Sequence, residues 1–358
     1  MVTKSVQHTN KKQSFAKRSF SKVQHIVEKY RTIRAKKITS FLKRVMPIAK
    51  QDKHVDPKDN GQFKKPFAVK KSHKNGSKKL VTVKKENVTL GKLLGSGGFG
   101  SVYLGSHKKE TLAVKVMHKV TKNPAAQLES FKAELNILEF DHPYIVKFLM
   151  ATPMELYDEG AWIVMEYAGD RTLQSVIGDR TSETLSPVHR IKFALQLASA
   201  LNYSHQHEVV HLDLKPANIL ITSDGNIKLG DFGCSQKLEV DTKIVSPTQR
   251  SFLTGTFAYR APELLKGESP SKKADIYSFG ITLWQMLTRE NPFANENQHC
   301  VIFSVVAYGK RPAHPDIDFD PFEECYRDLY TQCWSASSVE RPSSAELEDV
   351  LSVWKKHL

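Results

Sequence analysis

No apolar run in this 358-residue chain approaches the ~20 residues that a membrane-spanning helix needs. The longest, Cys300–Tyr308, is interrupted by Ser304 and reads as a buried helix. Cysteine is scarce: Cys234, Cys300, Cys325 and Cys333 show no Cys-x-x-Cys spacing, and no signal peptide precedes them. That leaves reduced thiols in a cytoplasmic protein and excludes a disulfide framework. Cys234 reads as a small buried residue in preference to a reactive thiol. Acidic residues are nearly missing from the first 85 positions, which hold 25 Lys+Arg against 4 Asp+Glu. The remaining positions take 28 of the chain's 53 basic and 34 of its 38 acidic residues. The overall charge of +15 is therefore an average of a tail at +21 and a body at −6. Such asymmetry marks an appended segment with partners of its own.

The sequence divides into a basic, largely disordered tail over 1–85 and a folded body over 86–356. Within the tail, Val23, Ile26, Val27, Tyr30, Ile33, Ile38, Phe41, Leu42 and Val45 recur near helical spacing among basic residues. A candidate amphipathic helix over 20–46 would suit an anionic membrane or a partner's groove, and it also resembles a mitochondrial presequence. The competing expectation is a solvated tail, because basic polar composition buries little surface. From Pro47 to Lys85 the composition is that of a linker. No nucleic-acid-binding motif is present, so specific nucleic-acid binding is not expected.

In the body, His211–Asn218 reads His-Leu-Asp-Leu-Lys-Pro-Ala-Asn. Phosphoryl transfer needs a carboxylate to orient a hydroxyl, a cation on the moving phosphoryl group and an oxygen ligand for a metal ion. Asp213, Lys215 and Asn218 are the candidates for these roles. Two short apolar runs separated by Ser223-Asp224-Gly225-Asn226 then predict a hairpin. That hairpin returns Asp231, of Asp231-Phe232-Gly233, to the neighbourhood of Asn218, where both can share magnesium. Upstream, Leu94–Val102 contains Gly95, Gly97, Gly98, Phe99 and Gly100 in the form G-x-G-x-x-G-x-V. Alone this is weak, because dinucleotide folds share the spacing. A dinucleotide fold opens a helix at the glycines, whereas here two strands follow, Ser101–Leu104 and Leu112–Met117, the second carrying Ala113 and Lys115.

These motifs together resemble the eukaryotic protein kinases. The resemblance implies an α+β, bilobal protein kinase fold with a small β-rich N-lobe and a larger helical C-lobe. It implies ATP bound under Leu94–Val102, with Mg2+ on Asn218 and Asp231 and Lys115 on the α- and β-phosphates. Glu134, on a helix expected over Leu128–Phe140, would pair with Lys115. Met165 would guard the back of the adenine pocket, the backbone of Glu166–Ala168 would bind the adenine edge, and Asp170 would reach the ribose. Thr256 would bridge Asp213 and Lys215, which points to serine/threonine specificity. His211 would pack on Phe232, Glu263 would pair with Arg341, and Asp275 would cap its helix and steady the catalytic loop.

The wording of His211–Ile221, Asp231–Ser235, Arg260–Glu268, Lys273–Met286 and Phe131–Asn136 is similar to the Mos-like serine/threonine kinases. That similarity implies a monomeric, cytoplasmic kinase acting on a MAP kinase kinase in oocyte meiotic maturation. The alternatives are a constitutive kinase outside that cascade and a scaffold anchored through the tail. One departure from most kinases is Leu212, where an arginine would grip an activation-segment phosphate. An uncharged side chain makes no such grip. Activity is therefore expected to be independent of Thr242, Ser246, Thr248, Ser251 and Thr254.

Overall fold

The structure, a computed structural model, describes residues 82–179, 185–238, 257–316 and 319–357. The expected tail helix over 20–46, Thr256, and the five hydroxyl residues of 242–254 lie outside the described residues.

The first region is an antiparallel sheet of β1 (Thr89–Ser96), β2 (Gly100–His107), β3 (Glu110–Met117), β4 (Phe148–Ala151) and β5 (Trp162–Glu166), in the order β1-β2-β3-β5-β4. β2 and β3 pair without a register break from Gly100↔Met117 to His107↔Glu110. Their turn takes left-handed backbone at Lys108 (φ 47) and Lys109 (φ 70), the twist a two-residue hairpin favours. Side-chain alternation then sorts β3. Leu112 and Val114 join Val83, Val88 and Val164 in a core, while Ala113 and Lys115 face the opposite side. Packing begins ahead of the expected body, because Val83 is buried and its N–H donates to the Ala151 carbonyl at 3.3 Å.

Helix α1 (Pro124–Leu135) packs against the turn at Phe232–Cys234. It starts four residues before the expected Leu128, because Asn123 caps the Ala126 N–H at 3.0 Å and proline opens the first turn. It also ends sooner than Phe140. Residues 136–139 form turns from which Ile137 and Phe140 still reach the interior, so the apolar spacing outlasts the helix.

The second region is helical. It comprises β6 (Arg171–Thr172), α2 (Leu173–Gly178), α3 (Pro187–Gln206), β7 (Val209–Val210), β8 (Ile219–Ile221), β9 (Ile227–Leu229), β10 (Gln236–Lys237), α4 (Pro262–Leu265), α5 (Lys272–Thr288), α6 (Gln298–Ala307), α7 (Pro321–Cys333) and α8 (Ser344–Lys355). Ser186 caps α3, whose buried Ile191, Ala194, Leu197, Ala198 and Leu201 pack toward α5 and α8. The expected hairpin forms, with Ile219↔Leu229, Leu220↔Lys228 and Ile221↔Ile227 in register. The run Cys300–Tyr308 is helical over most of its length but not buried. Only Val301 and Val305, one turn apart, face inward, while Phe303 and Tyr308 are 60% and 76% exposed. The helix packs on one side against α4, and its mostly apolar composition hides that asymmetry. Among the described residues no helix is long and apolar enough to cross a membrane.

Candidate active site

Between the two regions lies a cleft of about 980 Å³. Every site residue expected from the sequence borders it except Thr256, which lies outside the described residues. Its apolar walls are Leu94, Val102, Ala113 and Met165 from the sheet, with Leu220 from β8. Val146, Phe148, Val120 and Leu220 were not anticipated as lining. Their types are those of any core residue, and only the fold shows which apolar side chains meet an opening.

The glycine loop joins β1 to β2. A Cβ at Gly100 would lie 2.7 Å from the Val116 carbonyl, so the backbones approach too closely for any side chain. Around Gly97 and Gly98 the space is open, with no atom closer than 3.9 Å to an added Cβ. Bare backbone facing an open cleft suits an approaching phosphate chain.

Lys115, only 12% exposed, forms an ion pair with the Oε1 of Glu134, which is 1% exposed. Its Nζ also lies 3.1 Å from Asp231 Oδ1, whose side chain is 51% exposed to the cleft. Burial works against the Lys115 ammonium, but Asp231 and Glu134 outweigh it and raise its pKa above the ordinary lysine range. Lys115 therefore stays charged at any physiological pH. The same lysine holds the Asp231 carboxyl below the usual carboxylate value. Burial pushes Glu134 the other way, upward, with Lys115 pulling against it. Gly233 permits this convergence, since a Cβ there would sit 2.5 Å from Ser130 Oγ and 2.9 Å from Glu134 Oε1. Asp231 itself holds a left-handed backbone at φ 54.

The catalytic loop is a closed set of hydrogen bonds. Lys215 Nζ donates to Asp213 Oδ2 at 2.7 Å. Asn218 Nδ2 donates to the Asp213 carbonyl at 2.8 Å and to its Oδ2 at 3.0 Å, which turns the amide oxygen away as a free acceptor. Fully buried His211 donates from Nε2 to the Gly230 carbonyl at 3.0 Å and accepts the Asp213 N–H at Nδ1. Both ring nitrogens are thus committed, and the ring meets Phe232 edge-on at 4.5 Å. This is the packed role expected of it. Asp275 departs from expectation in one respect. It lies inside the first turn of α5, where Ser271 is the N-cap, and does not cap that helix. Its carboxylate instead accepts the His211 and Leu212 N–H groups, each at 2.8 Å.

At the hinge, Glu166 Oε1 takes the Lys147 N–H and the Lys228 ammonium, both at 2.7 Å. Asp170, at the cleft rim, lies 3.5 Å from Lys92. Glu263 and Arg341 form a bidentate pair at 2.6 and 2.8 Å, with the arginine side chain wholly buried. Cys234, Cys300 and Cys333 are free thiols, and burial pushes the Cys234 thiol up to about 12, which removes it as a nucleophile at neutral pH.

No group of three or more His, Cys, Asp or Glu able to hold a metal exists among the described residues. The oxygens of Asn218 and Asp231 nevertheless suit a hard divalent cation. Such an ion takes one or two protein oxygens and completes its shell with water and substrate phosphates.

The family model for the protein kinase domain matches residues 88–351. The chain is 50% identical over 256 residues to the serine/threonine-protein kinase mos of Patiria pectinifera, covering 71% of this chain and 72% of that protein. It is 43% identical over 270 residues to the same-named kinase of Xenopus laevis, covering 73% and 74%. The proto-oncogene serine/threonine-protein kinase mos of Mus musculus is 40% identical over 284 residues, 75% of this chain and 81% of that one. With a β-sheet region and a helical region enclosing one cleft, the chain belongs to the protein kinases and, among them, to the Mos serine/threonine kinases.

Proposed function

We propose that this serine/threonine kinase carries the γ-phosphoryl group of magnesium ATP to a MAP kinase kinase in the cytoplasm, in the control of meiotic maturation. The observation that supports the nucleotide assignment most directly is Lys115, which is paired to Glu134 and reaches Asp231 across the cleft. Lys115 holds the α- and β-phosphates, and the backbone of Gly95–Gly100 covers them. Asn218 and Asp231 would hold the magnesium ion, which when bound neutralises phosphate charge. Asp213 accepts a hydrogen bond from the substrate hydroxyl and aims it at phosphorus. Lys215, already on Asp213 Oδ2, supplies positive charge where the phosphoryl group passes. Positioning and charge stabilisation carry most of the rate in such reactions.

Labelled ATP with a purified MAP kinase kinase tests both parts. Lys115→Met is expected to lower transfer by about a hundredfold or more while thermal unfolding stays cooperative. A variant keeping half the wild-type rate would overturn the nucleotide assignment. The wild-type protein should phosphorylate the MAP kinase kinase in preference to a generic protein substrate, and equal rates on both would reject the substrate assignment.

A further inference from the structure

The tip of the glycine loop is held by a side chain that the reaction above leaves unused. Gln127 lies on α1 two turns before Glu134 and so on the same face of the helix. It is 5% exposed. Its Nε2 donates to the Phe99 carbonyl at 2.7 Å and to the His118 carbonyl at 2.9 Å. Its Oε1 accepts the Tyr157 hydroxyl at 3.2 Å. Both amide hydrogens are thus spent on carbonyls and the amide oxygen on a phenol. The reverse orientation would set oxygen against two carbonyls, so the network fixes which way the amide points. Tyr157 is itself braced, with its ring 5.2 Å from that of Phe131 on α1. The strands are joined on the other side of the loop as well. The His118 N–H donates to the Phe99 carbonyl at 3.0 Å, and His118 Nε2 lies 3.0 Å from Ser101 Oγ.

Phe99 is at the tip of the loop and borders the cleft. Glu134, on the same helix, sets Lys115. We propose that Gln127 is a positioning residue for the nucleotide: it ties the phosphate-covering loop to the helix that orients the phosphate-binding lysine, so that α1 sets both together. This rests on the phosphoryl-transfer reading and adds to it a reason why the loop and the lysine are placed as one unit. A displaced α1 would then loosen the loop as well as Lys115.

The test is nucleotide affinity in the full chain. Gln127→Leu removes two neutral hydrogen bonds, one to the loop and one just past the end of β3. The dissociation constant and KM for magnesium ATP are expected to rise about tenfold, with kcat changed less than about threefold. Tyr157→Phe removes only the hydroxyl that orients the amide, and a rise of about threefold in the same constants is expected. A purely structural role would lower the melting temperature of the nucleotide-free protein and leave affinity alone. Unchanged affinity in both variants, or a fall in kcat at unchanged KM, overturns the proposal. Should Gln127→Leu fail to fold, Tyr157→Phe decides by itself. Wild-type protein measured alongside separates the two levels. If it takes up no magnesium ATP, the nucleotide assignment falls; if it binds while the variants match it, only the role of Gln127 does.

Discussion

Changing Asp275 to Asn alters one atom and removes one acceptor from the support of the catalytic loop. The carboxylate is fully buried. It receives the His211 N–H and the His205 Nε2 on Oδ2, at 2.8 and 2.9 Å, and the Leu212 N–H on Oδ1 at 2.8 Å. An amide offers one oxygen and one NH2, so one backbone N–H loses its partner and faces another donor. Losing a charge-assisted bond and stranding a buried N–H costs about 2–4 kcal/mol. For a domain of this size that lowers Tm by roughly 5–15 °C. Leu212 also holds a left-handed backbone at φ 64, which a leucine keeps only when its surroundings impose it. Releasing its N–H lets the residue relax and tilts Asp213, the next in the chain. A displacement of that kind is expected to cut kcat by about 10–100-fold. KM for ATP should hold, since Lys115 belongs to the other region.

The pH dependence follows from the sign of the shift. Burial alone would raise the Asp275 carboxyl, but His205, through its bond and charge, together with His211 outweighs it and holds the group below its ordinary value of 3.8. A depressed folded pKa contributes stability that is present above the unfolded value and lost as pH falls through the folded one. Urea unfolding of wild type and variant should therefore show a constant difference from about pH 5 to pH 8, narrowing only in stronger acid. A melting temperature within about 2 °C of wild type together with unchanged kcat would refute the account.

Arg341→Met leaves Glu263 buried without its bidentate partner and should cost about 3–5 kcal/mol in urea unfolding, with part recovered when Glu263→Leu is added. A loss below about 1 kcal/mol would show that the pair carries little. Replacing Thr242, Ser246, Thr248, Ser251 and Thr254 together with Ala should leave kcat within about threefold, because Leu212 has no charge with which to grip a phosphate. Turnover abolished in a folded protein would sink that expectation.

The residues proposed for catalysis could be picked out because the chemistry assigned to them demands particular residue types at short spacings. Asp213, Lys215 and Asn218 sit on one loop, and the Asp224-Gly225 turn signals the hairpin that returns Asp231. Lys115 and Glu134 pair across nineteen positions; periodicity put one on a strand and the other on a helix, and the resemblance to protein kinases supplied the pairing. Gln127 was not legible, because a side-chain bond to the Phe99 carbonyl leaves no periodic trace and any glutamine on a helix would look the same. The exposed face of α6 was missed for the opposite reason. Apart from Ser304 its run from Cys300 is apolar on every side, and only the packing of Val301 and Val305 shows which side is covered. Asp275 was recognised as a support, but its place within the helix was not, since one acidic residue near a helix start suits both geometries.

Leu212 and Asp275 together suggest how this loop keeps its shape without an arginine. Along the catalytic loop, the His211 and Leu212 N–H groups end on Asp275, the Asp213 N–H ends on His211, and the Asp213 carboxylate is bracketed by Lys215 and Asn218. Among the described residues, each of these tethers comes from α5 or from the loop itself. A loop ordered from the helical side has its reactive carboxylate in place before any modification. On the other side of the cleft, α1 is tied both to Lys115 and to the glycine loop.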